Sequence, residues 1–192
     1  HPDDELMTAG TLAKFVDAGD VVTLIIAFSD HRGHELHKSA KTLDVRLMEY
    51  TGEQFKFAWT QESVLHYEPL VSQTNPDLLI SHRLHDNNTS HAPLAQTMRT
   101  IARKNRVALW EIDAAIPGAI EPECPANNLL VDIDAQMHRK YEAIDAYESV
   151  AMQYPGWRAA LKSRDLLNGY LLHMDADVHY AEAFRIHKSV WL

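Results

Sequence analysis

Thiol chemistry is almost absent from this chain: it has one cysteine, Cys124. One thiol forms no internal disulfide, which excludes a disulfide-stapled scaffold and suits a reducing, cytoplasmic compartment. Cys124 itself reads as a thiol with no catalytic task. Long apolar runs are also missing. None approaches the roughly 18–20 residues that a membrane-spanning helix needs, and the longest, Val21 to Phe28 interrupted by Thr23, has the length of a buried strand. Positive charge is scarce: 18 Lys and Arg against 27 Asp and Glu give a net charge of −9 with histidine neutral. That excludes the basic face by which a nucleic-acid partner would be bound. The densest basic group, Arg99 to Arg106, is spaced along a helix surface. Repeats, low-complexity tracts and Ser/Gly-rich linkers are absent, so residues 1–192 are read as a single domain. No Gly-x-Ser-x-Gly elbow occurs, which removes the usual serine-hydrolase mechanism.

What is present is a composition of 46% apolar and 23% charged residues, the balance of a globular protein with one full core. A helical period at Leu6, Met7, Leu12, Phe15 and Val16 predicts a helix over residues 4–18, stopped by Gly19. A β-branched run predicts a strand over 21–28, buried on both faces. Helices are expected over 35–43, 67–74, 91–104, 134–149 and 157–172. Strands are expected over 46–50, 78–81, 107–112, 129–133 and 180–186. This alternation indicates an α/β fold, a Rossmann-like three-layer sandwich around a mostly parallel sheet. Active sites of such sheets lie beyond the carboxyl ends of the strands, so residues 29–34 and 82–91 are where chemistry is expected. Tyr67, Trp110 and Trp157 are read as core aromatics before sugar-stacking ones.

The strongest local signal is His1-Pro2-Asp3-Asp4-Glu5, an imidazole and three carboxylates within five residues at a helix start. The chain opens directly on this segment, without an initiator methionine, signal peptide or leading strand. It reads either as trimmed or as processed to expose His1. A hydrolytic zinc site needs about three N or O ligands, an open position for water, and a base beside that water. The pentapeptide can supply two ligands and the base; read without a metal, it is an acidic helix cap. A third ligand must come from elsewhere, and the loop over 82–91 offers His82, His85 and His91.

These residues resemble the GlcNAc-phosphatidylinositol de-N-acetylase, or LmbE-like, deacetylases over most of the chain. The family's first motif reads Ala-His-Pro-Asp-Asp-Glu after a hydrophobic strand, and this chain carries it from the histidine onward. That first strand is therefore expected to be missing. Residues 21–30 are similar to the family's strand ending in Thr-Asp-Gly. Arg32 and Glu35, followed by Ala40, Leu43 and Val45, are similar to its Arg-x-x-Glu helix running into Leu-Gly-Val, with Asp44 in the glycine position. Pro76 to Ile80 resembles the strand leading to the second metal motif. That motif, Asp-x-His-x-Asp-His, stands here as Asp86-Asn87-Asn88-Thr89-Ser90-His91, with Asn88 and Ser90 as departures. Pro125 to Asn127, Val131 to Ile133, Lys140, and Tyr180 to Arg185 resemble the C-terminal signatures.

The resemblance implies a zinc ion (Zn2+) held by His1, Asp4 and His91, with Asp3 as general base toward a metal-activated water. It implies removal of an N-acetyl group from an N-acetylglucosamine-type amino-sugar conjugate. Asn88, at the position of the family's histidine, would donate a hydrogen bond to the oxyanion but transfer no proton near neutrality. Protonation of the departing amine then falls to Asp3, or to His85 or His82. Arg32 and Asp30 suit sugar hydroxyls or an acidic aglycone, with His85 at the substrate. The resemblance leaves a homo-oligomer open. Three other readings stand beside it: a non-catalytic carbohydrate-binding relative, an acetyl-ester hydrolase, and a copper site at an N-terminal His1, to which Asp4 is poorly suited.

Overall fold

The computed structural model describes residues 1–28, 31–49, 59–86, 88–112, 126–174, 177 and 179–188. In chain order a 3₁₀ turn, Asp4–Met7, precedes α1 (Ala9–Asp17), β1 (Thr23–Ile26), α2 (Gly33–Leu43), β2 (Arg46–Glu49) and α3 (Gln61–Thr74). Then come β3 (Leu78–His82), α4 (His91–Asn105), β4 (Ala108–Ile112) and β5 (Leu129–Asp132). A second 3₁₀ turn, Asp134–Gln136, leads to α5 (Met137–Asp145), α6 (Glu148–Gln153), α7 (Trp157–His173) and β6 (Ala181–Lys188). The chain divides into two compact units, His1–Thr51 with Leu130–Glu182, and Gly52–Leu129 with Ala183–Leu192.

In the first unit β1 and β2 pair in parallel, Thr23 opposite Arg46 and Ile26 opposite Glu49. Leu36, Ala40 and Leu43 recur at helical spacing along α2 and are buried, and α1, α2 and α5 pack on one another. Helix α2 ends at Asp44, whose φ of 58° is left-handed. A left-handed residue after a helix is normally glycine, which accounts for the glycine at this position in the pattern the chain resembles. In the second unit β3 and β4 are parallel from Leu78 opposite Ala108 to His82 opposite Ile112. β6 runs antiparallel to β4, with Glu111 opposite Arg185 and Ile112 opposite Phe184. The four-stranded order is β3-β4-β6-β5. Helix α3 opens on a reciprocal Thr60–Ser63 capping box and closes at Asn75, and α4 packs on α3, β3 and β4.

The α/β class with parallel strands is as expected, and four local features differ, one being that residues 4–18 form a 3₁₀ turn (Asp4–Met7) and then α1 rather than one helix. The first strand is shorter than 21–28, and Thr23, Leu24 and Ile25 are half-buried rather than covered on both faces. Helix α3 begins at Gln61, since its opening turns carry few apolar residues and depend on the capping box instead. The helix expected over 134–149 is broken: Tyr147, at φ −94° and ψ 70°, leaves the helical region between α5 and α6. Of the three named aromatics, Tyr67 is buried and Trp110 and Trp157 are half-buried. No helix among the described residues is long and apolar enough to cross a membrane.

Candidate metal centre

In the first unit the acidic pentapeptide does not continue straight into a helix. Asp3 has a φ of 90°, a left-handed backbone that costs a non-glycine residue on the order of 1 kcal/mol or more. Two contacts hold it there, one of them through Glu5. The Asp3 main-chain N–H donates to Glu5 Oε2 at 3.0 Å. Arg32 Nη1, at the start of α2, donates to Asp3 Oδ2 at 2.5 Å. Glu5 is in turn buried, its Oε1 accepting from Ser39 Oγ at 2.8 Å and Tyr147 Oη at 2.6 Å. The break between α5 and α6 is what delivers that phenol.

The electrostatics follow from burial. Asp3 is pushed up to about 7, first by desolvation and then by the neighbouring Asp4, against the lowering pull of Arg32. Glu5 is raised by desolvation, against its hydrogen bonds from Tyr147 and Ser39. The Tyr147 hydroxyl is raised as well, by burial and by the facing Glu5, so it stays a donor. Asp3 is thus a carboxyl able to take and return a proton near neutrality, in a fixed orientation. The His1 ring meets Phe28 edge-on at 4.9 Å, and Asp4 Oδ2 accepts from the His1 main-chain nitrogen at 2.7 Å.

In the second unit the loop after β3 is built around Asp86. Its Oδ1 accepts the Asn88 N–H at 2.8 Å and its Oδ2 meets His91 Nδ1 at 2.8 Å. Asp86 and His91 are both buried, and the His82 ring stacks on His91 at 3.9 Å and 6°. A carboxylate on Nδ1 sets the tautomer of an imidazole and commits Nε2 to the ligand role, the usual support of a metal-binding histidine. Donor atoms of His82, Asp86 and His91 lie within 4.8 Å of one another. Asn88 is exposed, and its Oδ1 accepts from both the main-chain N–H and the hydroxyl of Ser90. The two departures from the expected motif therefore satisfy each other at the entrance to α4. Only the Asn88 amide nitrogen is left for the oxyanion role.

Of the residues singled out beforehand, His1, Asp3, Asp4 and Arg32 belong to the first unit; His85, Asn88 and His91 belong to the second. Arg32 is engaged by Asp3, and His85 lies half-buried in the turn before Asp86. Asp30, Cys124 and Asn87 lie outside the described residues. Sequence reasoning missed the roles of Glu5, Ser39, Tyr147 and Asp86. Glu5 carries a readable signal as part of the acidic pentapeptide, and Asp86 as an acid shortly before a histidine at a helix start. The donor set fits a hydrolytic zinc site: imidazole nitrogens and a carboxylate, with one histidine held by a buried acid.

Comparison with protein-family models and with curated proteins returned no match. Solved structures do match over the whole fold. The conserved protein TT1542 from Thermus thermophilus is 19% identical at a TM-score of 0.79, covering 100% of this chain and 93% of that one. GalB, the 4-carboxy-2-hydroxymuconate hydratase from Pseudomonas putida, is 15% identical at 0.80, covering 100% and 95%. The N,N'-diacetylchitobiose deacetylase from Pyrococcus horikoshii is 17% identical at 0.71, covering 97% and 80%. The Rossmann-like fold of LmbE-like deacetylases is therefore the fold of this chain.

Proposed function

We propose that this chain is a zinc-dependent N-deacetylase acting on an N-acetylglucosamine-type conjugate, with His1, Asp4 and His91 as metal ligands in a single domain. The observation that carries the reading is the buried Asp86–His91 pair, a histidine prepared for a metal, on a fold shared with a chitobiose deacetylase. Bound zinc would supply a Lewis acid and bring the pKa of a coordinated water toward neutrality. Asp3 takes the proton of the attacking water and returns it to the departing amine. Its raised carboxyl suits both steps, and Arg32 and Glu5 keep it in one orientation. Asn88 offers its amide N–H to the developing oxyanion, a donor whose loss typically costs about 10²-fold in rate. In this reading Arg32, Asp30 and His85 are the residues that would recognise the substrate, with Arg32 serving Asp3 as well.

The test is amine and acetate release from an N-acetylglucosamine conjugate by zinc-loaded protein. Asp3→Asn is expected to lower kcat by about 10²-fold or more while metal content holds, and His91→Ala to lose the metal. Bound metal with no released amine would leave a carbohydrate-binding relative. Acetate from an ester alone would leave an esterase.

GalB, a hydratase with a TM-score of 0.80, favours a second reading in which the same water is added to a carbon–carbon double bond. Turnover of an unsaturated hydroxy-acid substrate, without amine release, separates it.

A further inference from the structure

A second group of metal-type donors lies in the first unit, outside the pentapeptide and its supports. Asp134 opens the 3₁₀ turn after β5, His173 ends α7, and His179 precedes β6. Their donor atoms all lie within 4.8 Å of one another. The two imidazole rings are 4.0 Å apart and inclined by 32°. His179 Nδ1 meets Asp134 Oδ2 at 2.6 Å, and a second acid, Asp132, brings Oδ2 to 3.4 Å from His173 Nε2.

The backbone holds this arrangement in place. Asp134 Oδ1 accepts the Tyr180 main-chain N–H, which ties the start of β6 to the 3₁₀ turn. Gly169, one helical turn before His173 on the same face of α7, lies directly under the His179 carbonyl. A Cβ there would sit 2.1 Å from that oxygen. Only glycine lets residue 179 approach α7 so closely, and that approach is what brings the two rings together. Met174 turns the chain back with a left-handed φ of 53°. The donors come from three elements and are positioned by main-chain contacts rather than by flexible side chains alone.

Two imidazoles this close repel when both are protonated, and a divalent cation satisfies both without that repulsion. Two nitrogens and one or two carboxylate oxygens match zinc, cobalt or nickel rather than calcium or magnesium. Around a tetrahedral ion with bonds of about 2.0–2.1 Å, ligand atoms stand about 3.3 Å apart, so donors that lie within 4.8 Å of one another close by at most about 1.5 Å, while His179 Nδ1 and Asp134 Oδ2, now 2.6 Å apart, open slightly. We propose that Asp134, His173 and His179 form a second transition-metal site, with Asp132 or water as the fourth ligand. The site pins the connection between α7 and β6 to the turn after β5.

Cobalt(II) titration of the full chain, followed by its visible ligand-field bands and by equilibrium dialysis, tests this. Wild type is expected to bind one equivalent more than either His173→Gln or His179→Gln. The wild-type melting temperature is expected to rise with cobalt or zinc by several degrees more than that of the variants. His173 and His179 are partly solvent-exposed, so Gln at either position leaves folding intact, which circular dichroism of the metal-free variants verifies. Equal stoichiometry and equal thermal shifts in wild type and both variants would overturn the site. Because the readout is a difference, it holds whatever occupies the pentapeptide region.

Discussion

At the residue scale, Asp3 is a carboxylate kept under opposing forces. Its carboxyl stands at about 7 because burial and Asp4 oppose its charge more than Arg32 supports it. The sign of the stability effect follows. Between the ordinary value of 3.8 and about 7, the folded state binds a proton that the unfolded state has released. Stability therefore falls as pH rises through that window and stays reduced above it. In metal-stripped protein, Asp3→Asn is expected to be more stable than wild type at pH 8, by about 1–4 kcal/mol. The gain should vanish below about pH 4, and urea unfolding at the two pH values measures it. For activity, Arg32→Ala removes the larger of the two charges that lower the Asp3 pKa. The acidic limb of the pH–rate profile should move to higher pH, and a limb that stays in place or moves down would break the link between the two residues. Tyr147→Phe leaves Glu5 without its shortest donor. A loss of about 1–3 kcal/mol is expected, with a lower kcat if Asp3 loses its orientation along with Glu5.

At the scale of elements, helix ends and helix contacts decide what a substitution does. Asp44 sits left-handed at the end of α2, so Asp44→Gly should stabilise by about 0.5–1 kcal/mol, read from the thermal midpoint. Gly10 opens α1 against β5's continuation, where a Cβ would lie 2.7 Å from Ile133 Cδ1 and 2.8 Å from its Cβ. Gly10→Ala is expected to cost about 1–3 kcal/mol as the core shifts to admit a methyl group. Most elements were legible because a period of two or 3.6 residues shows wherever one face is buried. The exceptions have local causes. The start of α3 rests on a Thr60–Ser63 cap with little apolar patterning behind it. The break before α6 comes from Tyr147, whose hydroxyl is drawn to Glu5 142 positions away; nothing in the local sequence announces that partner.

At the scale of the whole molecule, the segments read as C-terminal signatures turn out to hold a buried charge knot in the first unit. Lys140 Nζ reaches Asp165 Oδ2 at 2.6 Å and Glu182 Oε1 at 2.7 Å, and all three side chains are essentially inaccessible. Glu182 also accepts the Gly10 and Thr11 N–H groups at the start of α1, where a helix favours negative charge. The knot thus joins α1, α5, α7 and β6. Lys140→Met strands two buried carboxylates and is expected to cost about 3–5 kcal/mol, with acid partly rescuing it, because burial already raises Asp165.

From its residues alone, the chain determined its α/β alternation, the shortness of its apolar runs and the chemical types of its candidate ligands. Those are properties of spacing and composition, and both are complete in one dimension. Tertiary structure decided the partnerships: Glu5 with Tyr147, Asp86 with His91, Glu182 with the start of α1, and Gly169 beneath His179. A carboxylate's role depends on what surrounds it once water is excluded. That surrounding is assembled from segments distant in sequence, whose meeting no local pattern encodes.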